Sequence, residues 1–110
     1  METFRDLGVS EALAAVLADK NIKEPTPIQQ QAIPKILAGT DILGVAPTGT
    51  GKTLAFLLPI IEKIKPQAAV TQALVITPTR ELAIQIAKVA QSLAAAADIS
   101  SLVIFGGQDI

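Results

Sequence analysis

The stretch that most restricts this chain is VAPTGTGKTLAFLLP, Val45 to Pro59. Two glycines, one lysine and flanking threonines stand between two apolar runs. A turn that leaves a strand and opens a helix while wrapping an anion must bring several backbone N–H groups to one point. Residues with side chains resist that geometry, whereas Gly49 and Gly51 do not. Lys52 would neutralise the outer groups of a polyphosphate, the hydroxyl of Thr53 would ligate a magnesium ion, and a helix starting near Gly51 would aim its positive end at the same anion. The usual spacing is G-x-x-x-x-G-K-[ST], and here Ala46 takes the first glycine's place. A plain strand-to-helix turn with a stray lysine would not need this coincidence of turn chemistry, GKT and apolar flanks. A dinucleotide fingerprint is the other rival. It would need a third glycine where Leu54 stands, and an acidic residue after the second strand.

The segments around this turn alternate in type. Ser10 can cap a helix running to about Lys20, with Leu13, Val16 and Leu17 on one face. Thr26, Pro27 and Gln29 supply an N-cap, a first-turn proline and a capping-box partner for a second helix reaching Ala38, with Pro34 as a kink and Gly39 as its end. DILGVA (41–46) reads as a strand, residues 51–65 as a third helix closed by Pro66, and ALVITP (73–78) as a second buried strand. A long helix follows from Thr79, with Leu82, Ile86, Val89 and Leu93 on one stripe. SLVIFGG (101–107) reads as a third strand. Apolar rather than alternating strands, separated by helices, predict an α/β fold: a parallel sheet with helices on both faces.

Composition removes several chemistries. The 110 residues contain no cysteine and no histidine, which excludes disulfides, thiolate catalysis and histidine acid–base work in this stretch. Net charge is −1, so any nucleic-acid contact must be local rather than drawn by a global basic field. The longest apolar run, Leu54 to Ile61, is too short to cross a bilayer. No signal peptide is visible, so the expected location is cytoplasmic, with no membrane partner.

APTGTGKT (46–53) resembles the nucleotide loop of DEAD-box ATP-dependent RNA helicases of superfamily 2. PTRELAIQ (78–85) resembles the family's PTREL motif and KEPTPIQ (23–29) its glutamine motif. Phe4 stands where the family carries an isolated upstream aromatic, and Gly106-Gly107 resembles the glycine doublet of its RNA-binding face. The resemblance covers the whole chain. It implies the N-terminal portion of a first RecA-like P-loop domain, with residues 1–30 recognising adenine, 46–53 binding phosphates and 78–85 contacting RNA. ATP and Mg2+ would then be held by Phe4, Gln29, Ala46, Pro47, Thr48, Gly49, Thr50, Gly51, Lys52 and Thr53, with Lys52 and Thr53 as catalytic groups and Thr53 on the metal. Gln29 would read the adenine edge, although it could equally serve the cap alone. Pro78, Thr79, Arg80 and Glu81, with Gly106 and Gly107, would face RNA phosphates. A strand end capped by Thr77 or Thr79, and a simple turn at the glycine pair, are the bland alternatives.

Two positions depart from the family's pattern. Asn21 stands where glycine is usual, and Ile22 where an aromatic often covers the base. The sequence has no adjacent Asp-Glu pair and no SAT triplet, and its arginines are Arg5 and Arg80. The resemblance therefore implies that the remainder of the helicase core, the rest of domain 1 and domain 2, is a partner. It also implies an ATP-binding and RNA-contacting segment that by itself binds nucleotide without hydrolysing it. A stand-alone, non-catalytic nucleotide- or phosphate-binding module is the alternative, and another P-loop ATPase a weaker one. In the family's domain, the strand bearing the Asp-Glu pair lies between the loop strand and the ALVIT strand, so exposed apolar edges are expected here.

Overall fold

A computed structural model of the chain describes residues 3–47, 51–64 and 72–96. They form four helices: α1 (Glu11–Asp19), α2 (Pro27–Leu37), α3 (Lys52–Lys63) and α4 (Arg80–Ala96). Each follows from local chemistry. Ser10 starts α1 by accepting the Leu13 N–H on its hydroxyl. Both α1 and α2 end in Schellman motifs. After α1, Asn21 takes the left-handed conformation at φ 64° while its N–H and that of Ile22 return to Ala18 and Leu17. After α2, Gly39 at φ 90° and Thr40 repeat the pattern onto Ile36 and Lys35. This gives Asn21 a physical role: asparagine tolerates the left-handed region better than other side-chain-bearing residues. Ile22, next to it, packs against the core as the apolar residue that often accompanies such an ending.

Helices of nine to seventeen residues gain most of their stability from packing rather than propensity. One core cluster joins them all. Leu13 and Leu17 of α1, Ile33 of α2, Leu57, Leu58 and Ile61 of α3, and Ile86 and Leu93 of α4 are buried together. The closest pairing is α2 with α3, and α4 covers α1 and α3. Each fully buried leucine or isoleucine contributes about 1.5–3 kcal/mol. Polar contacts fix the arrangement at its rim: Ser10 N donates to Glu62 Oε1 at 2.7 Å, and Lys20 Nζ to Ser92 Oγ at 2.8 Å. The entry turn is self-capped, because Thr3 N donates to Asp6 Oδ2 and Asp6 N to Thr3 Oγ1. The Thr3 backbone bond, chiefly, holds the Asp6 carboxyl below its ordinary value.

All four expected helices are present. The described residues contain no strand. The parallel sheet is thus absent from the described residues, and its third expected strand, 101–107, lies outside them. Among the described residues, segments 41–46 and 73–78 have no ladder partner, and side chains chosen for burial are exposed: Leu43 is 92 % exposed, Val45 85 %, Leu74 79 % and Ile76 84 %. A strand exists only through its neighbours; without them, β-branched apolar segments remain as adhesive edges.

This exposure predicts that the 110-residue chain self-associates. Sedimentation velocity should show concentration-dependent oligomers, and Leu43→Lys with Ile76→Lys should restore a monomer with unchanged helical circular dichroism. A wild-type chain that stays strictly monomeric and unfolds sharply would contradict it.

Candidate functional site

The four helices start differently. α1 begins on Ser10 and α4 on Thr79, whose hydroxyl accepts the Leu82 N–H at 3.2 Å. α2 begins on the Thr26-Pro27-x-Gln29 box. α3 begins on Gly51, which has no side chain to offer. Among the described residues, the first N–H groups of α3 therefore receive no side-chain cap, and they lie beside Lys52 and Thr53. An α-helix start leaves four such donors. Donors of this kind complement an anion.

Gly51 is held in a conformation that few other residues tolerate, φ 86°. Its surroundings impose the same choice, since a Cβ there would run into the side chain of Gln29. Gln29 is 2 % exposed, the buried polar residue of the core region. Its Oε1 accepts from Thr26 N at 2.8 Å, and its Nε2 donates to Gly51 O at 3.1 Å. The Gly51 carbonyl also takes the first helical bond of α3, from Ala55 N at 3.2 Å. The other arm of the capping box approaches Thr26 Oγ1 from the Gln29 backbone. It falls short of full hydrogen-bond geometry, so the Thr26 hydroxyl is buried without a partner.

The structure thus brings Gln29 to the turn expected to bind phosphates. Lys52 is exposed and Thr53 half-buried on the first turn of α3, with Ala46 half-buried and Pro47 exposed on the approach. Thr48, Gly49 and Thr50 lie outside the described residues. Phe4, expected beside the base, is 3 % exposed and belongs to the core cluster. Ile22 also packs on that cluster.

The second expected group is organised at the start of α4. Thr79 rather than Thr77 is the cap; Thr77 Oγ1 donates to the Thr79 carbonyl at 2.8 Å and steadies it. Glu81 stands in the first turn, where the helix dipole favours an acid. Pro78, Thr79, Arg80 and Glu81 are all exposed. Gly106 and Gly107 lie outside the described residues. A separate open groove of about 380 Å³ runs between α2 and residues 41–45, lined by Ile28, Gln31, Lys35 and Leu43 among others. None of Gln29, Gly51, Lys52 or Thr53 lines it, so it is not part of the α3 start. Sequence reasoning found the cap and the glycine turn separately. It missed the bond between them, which joins residues 22 apart and leaves no mark in local spacing.

Residues 26–110 match the family described as DEAD/DEAH box helicase. The DEAD-box ATP-dependent RNA helicase CshA of Geobacillus kaustophilus is 44 % identical over 110 residues, covering 100 % of this chain and 24 % of the relative. The structure of the RNA helicase Prp28 from Chaetomium thermophilum bound to ADP superposes with a TM-score of 0.86 at 38 % identity, covering 99 % of this chain and 28 % of that one. Dbp5 of S. cerevisiae, solved with RNA and ADP BeF3, gives 0.87 at 28 % identity, covering 100 % and 30 %. The chain therefore spans about a quarter of the length of the relatives it matches.

The contact at Gly51 predicts a non-additive pair. Gly51→Ala should cost roughly 1–2 kcal/mol for the left-handed backbone alone, plus the collision with Gln29. In a Gln29→Ala background the collision disappears, so urea unfolding should show the two penalties summing to less than their separate values. Simple additivity would mean that the two side chains do not meet.

Proposed function

Because the chain belongs to the DEAD/DEAH box helicase family, we propose that it is the ATP-binding and RNA-contacting segment of an ATP-dependent RNA helicase. The observation that carries this reading is the start of α3: a left-handed glycine, uncapped N–H donors and a lysine at one point. The phosphates would lie there, with Lys52 offsetting their charge and Thr53 offering its hydroxyl to Mg2+. Bound magnesium would supply charge neutralisation as a phosphoryl bond breaks. Relatives named as ATP-dependent RNA helicases, and neighbours solved with ADP and with RNA, support ATP and RNA as ligands.

Gln29 reads the adenine in this proposal. Its carboxamide has two N–H donors and two acceptor sites, and the cap and Gly51 use one of each. One donor and one acceptor remain for the base edge. Pro78, Thr79, Arg80 and Glu81 at the start of α4, with Gly106-Gly107, face RNA phosphates. The Thr79 hydroxyl accepts from Leu82, which leaves its proton to donate outward. Residues 41–46, 73–78 and 101–107 supply strands of a parallel, RecA-like sheet together with further strands of the parent protein. The rest of the helicase core is the partner, and the parent acts in the cytoplasm.

The 110-residue sequence contains no Asp-Glu pair to hold magnesium and orient the attacking water. The chain by itself accordingly holds nucleotide without turning it over, and hydrolysis with RNA unwinding belongs to the parent. The second reading, a stand-alone phosphate-binding module, rests on the same α3 start without the RNA contacts.

Lys52→Ala should weaken binding of a fluorescent ATP analogue about ten- to hundredfold, the effect of removing one charge-assisted contact. Equal affinity in both proteins would refute the phosphate site. Phosphate release from ATP should stay at background with and without single-stranded RNA. RNA-stimulated release that vanishes in Lys52→Ala would show instead that this stretch is a complete ATPase.

A further inference from the structure

We infer that residues 3–22, the entry turn together with α1, form a strap that opens from the other three helices as one unit, anchored by one polar bond at each end of α1. Its backbone bonds are closed within it. The Leu7 and Val9 N–H groups return to Phe4 and the Gly8 N–H to Arg5, while those of Lys20, Asn21 and Ile22 return to the last turn of α1. Thr3 and Asp6 close on each other, and exposed Arg5 and Glu11 pair at 3.7 Å. Among the described residues, no backbone–backbone hydrogen bond has to break for this unit to leave.

Two polar bonds among the described residues cross from the strap to the rest. At the start of α1, the Ser10 N–H donates to Glu62 Oε1, in the last turn of α3, at 2.7 Å. The acceptor is a carboxylate, so this bond is charge-assisted and stronger than a neutral one. The hydroxyl of Ser10 meanwhile caps Leu13, so the residue that begins α1 is also the one fastened to α3. At the other end, Lys20 Nζ donates to Ser92 Oγ of α4 at 2.8 Å, and the Ser92 hydroxyl is oriented by donating to Val89 O. The remaining attachment is apolar: Phe4, Leu7, Val9, Leu13 and Leu17 all belong to the shared cluster. Gly8, at φ 105°, passes so close to the end of α2 that a Cβ there would strike the Leu37 side chain. The turn runs into α1 without a break, so these side chains withdraw together. α1 packs on α4, whereas the closest pairing of described helices is α2 with α3. Opening would therefore uncover the cluster while leaving the α2–α3 pair in place.

Native-state hydrogen exchange of the 110-residue chain, followed by NMR, tests this. The amides of Leu7, Gly8 and Val9 and those of α1 should share one opening constant, larger than that of the slowest amides in α2 and α3. Glu62→Ala should raise the shared constant about tenfold, the effect of one lost charge-assisted bond. Glu62→Gln keeps an acceptor oxygen and should stay within about threefold of wild type. Turn amides that exchange separately from α1, or a strap that exchanges only with the slowest amides of α2 and α3, would overturn the inference. So would a Glu62→Ala protein that exchanges like wild type. If Glu62→Ala does not fold, Lys20→Met removes the other anchor and meets the same criterion: one shared rise across residues 7–9 and α1, or the inference fails.

Discussion

A single buried carboxamide joins the starts of two helices, and the candidate site is arranged around it. Gln29 closes the first turn of α2 on one side and takes hold of the Gly51 carbonyl on the other. Neither bond is strong alone, at about 0.5–1.5 kcal/mol net. Their importance lies in burial: an amide 2 % exposed that lost either partner would carry an unsatisfied polar group in an apolar setting, at a cost of about 1–3 kcal/mol. The two bonds tie the first turn of α2 to the start of α3.

The rest of the helical assembly protects that junction. α2 and α3 pack closely, and Leu58 and Ile33, both fully buried, tie them into the cluster shared with α1 and α4. The rim bonds from Ser10 to Glu62 and from Lys20 to Ser92 fasten α1 to the far end of α3 and to α4. Phe4, 3 % exposed, belongs to the same core cluster. The groups offered to solvent, Lys52 and the exposed start of α4, are borne on helices whose other faces are closed.

The sequence was legible wherever a decision is local. Ser10, Thr26, Thr79 and Gly39 each act on residues three or four positions away, and the starts of α1, α2 and α4 and the end of α2 follow from them. Gly51 was legible for the same reason: a turn into a helix at positive φ needs glycine. The strands were not, because a ladder depends on a partner elsewhere in the chain; apolar, β-branched segments at 41–46 and 73–78 state a preference that the described residues do not satisfy. The side chains of Phe4 and Ile22 were ambiguous in another way. Apolar residues near a binding motif serve packing or ligand equally well, and both side chains pack on the core. The Gln29 bond to Gly51 was the hardest to foresee, since it depends on two separate turns meeting in space.

The contrast between clamped helices and exposed apolar connections has a consequence for how the molecule comes apart. A broad-specificity protease needs an extended, accessible backbone, and here 42–45 and 74–76 offer the exposed apolar residues it favours, outside any ladder among the described residues. The helices on either side of each connection are held by the common core rather than by the chain between them. Cleavage in the first connection would leave α1 and α2 on one piece and α3 and α4 on the other. The two pieces would remain a noncovalent complex, with the carboxamide of one still bonded to the glycine of the other.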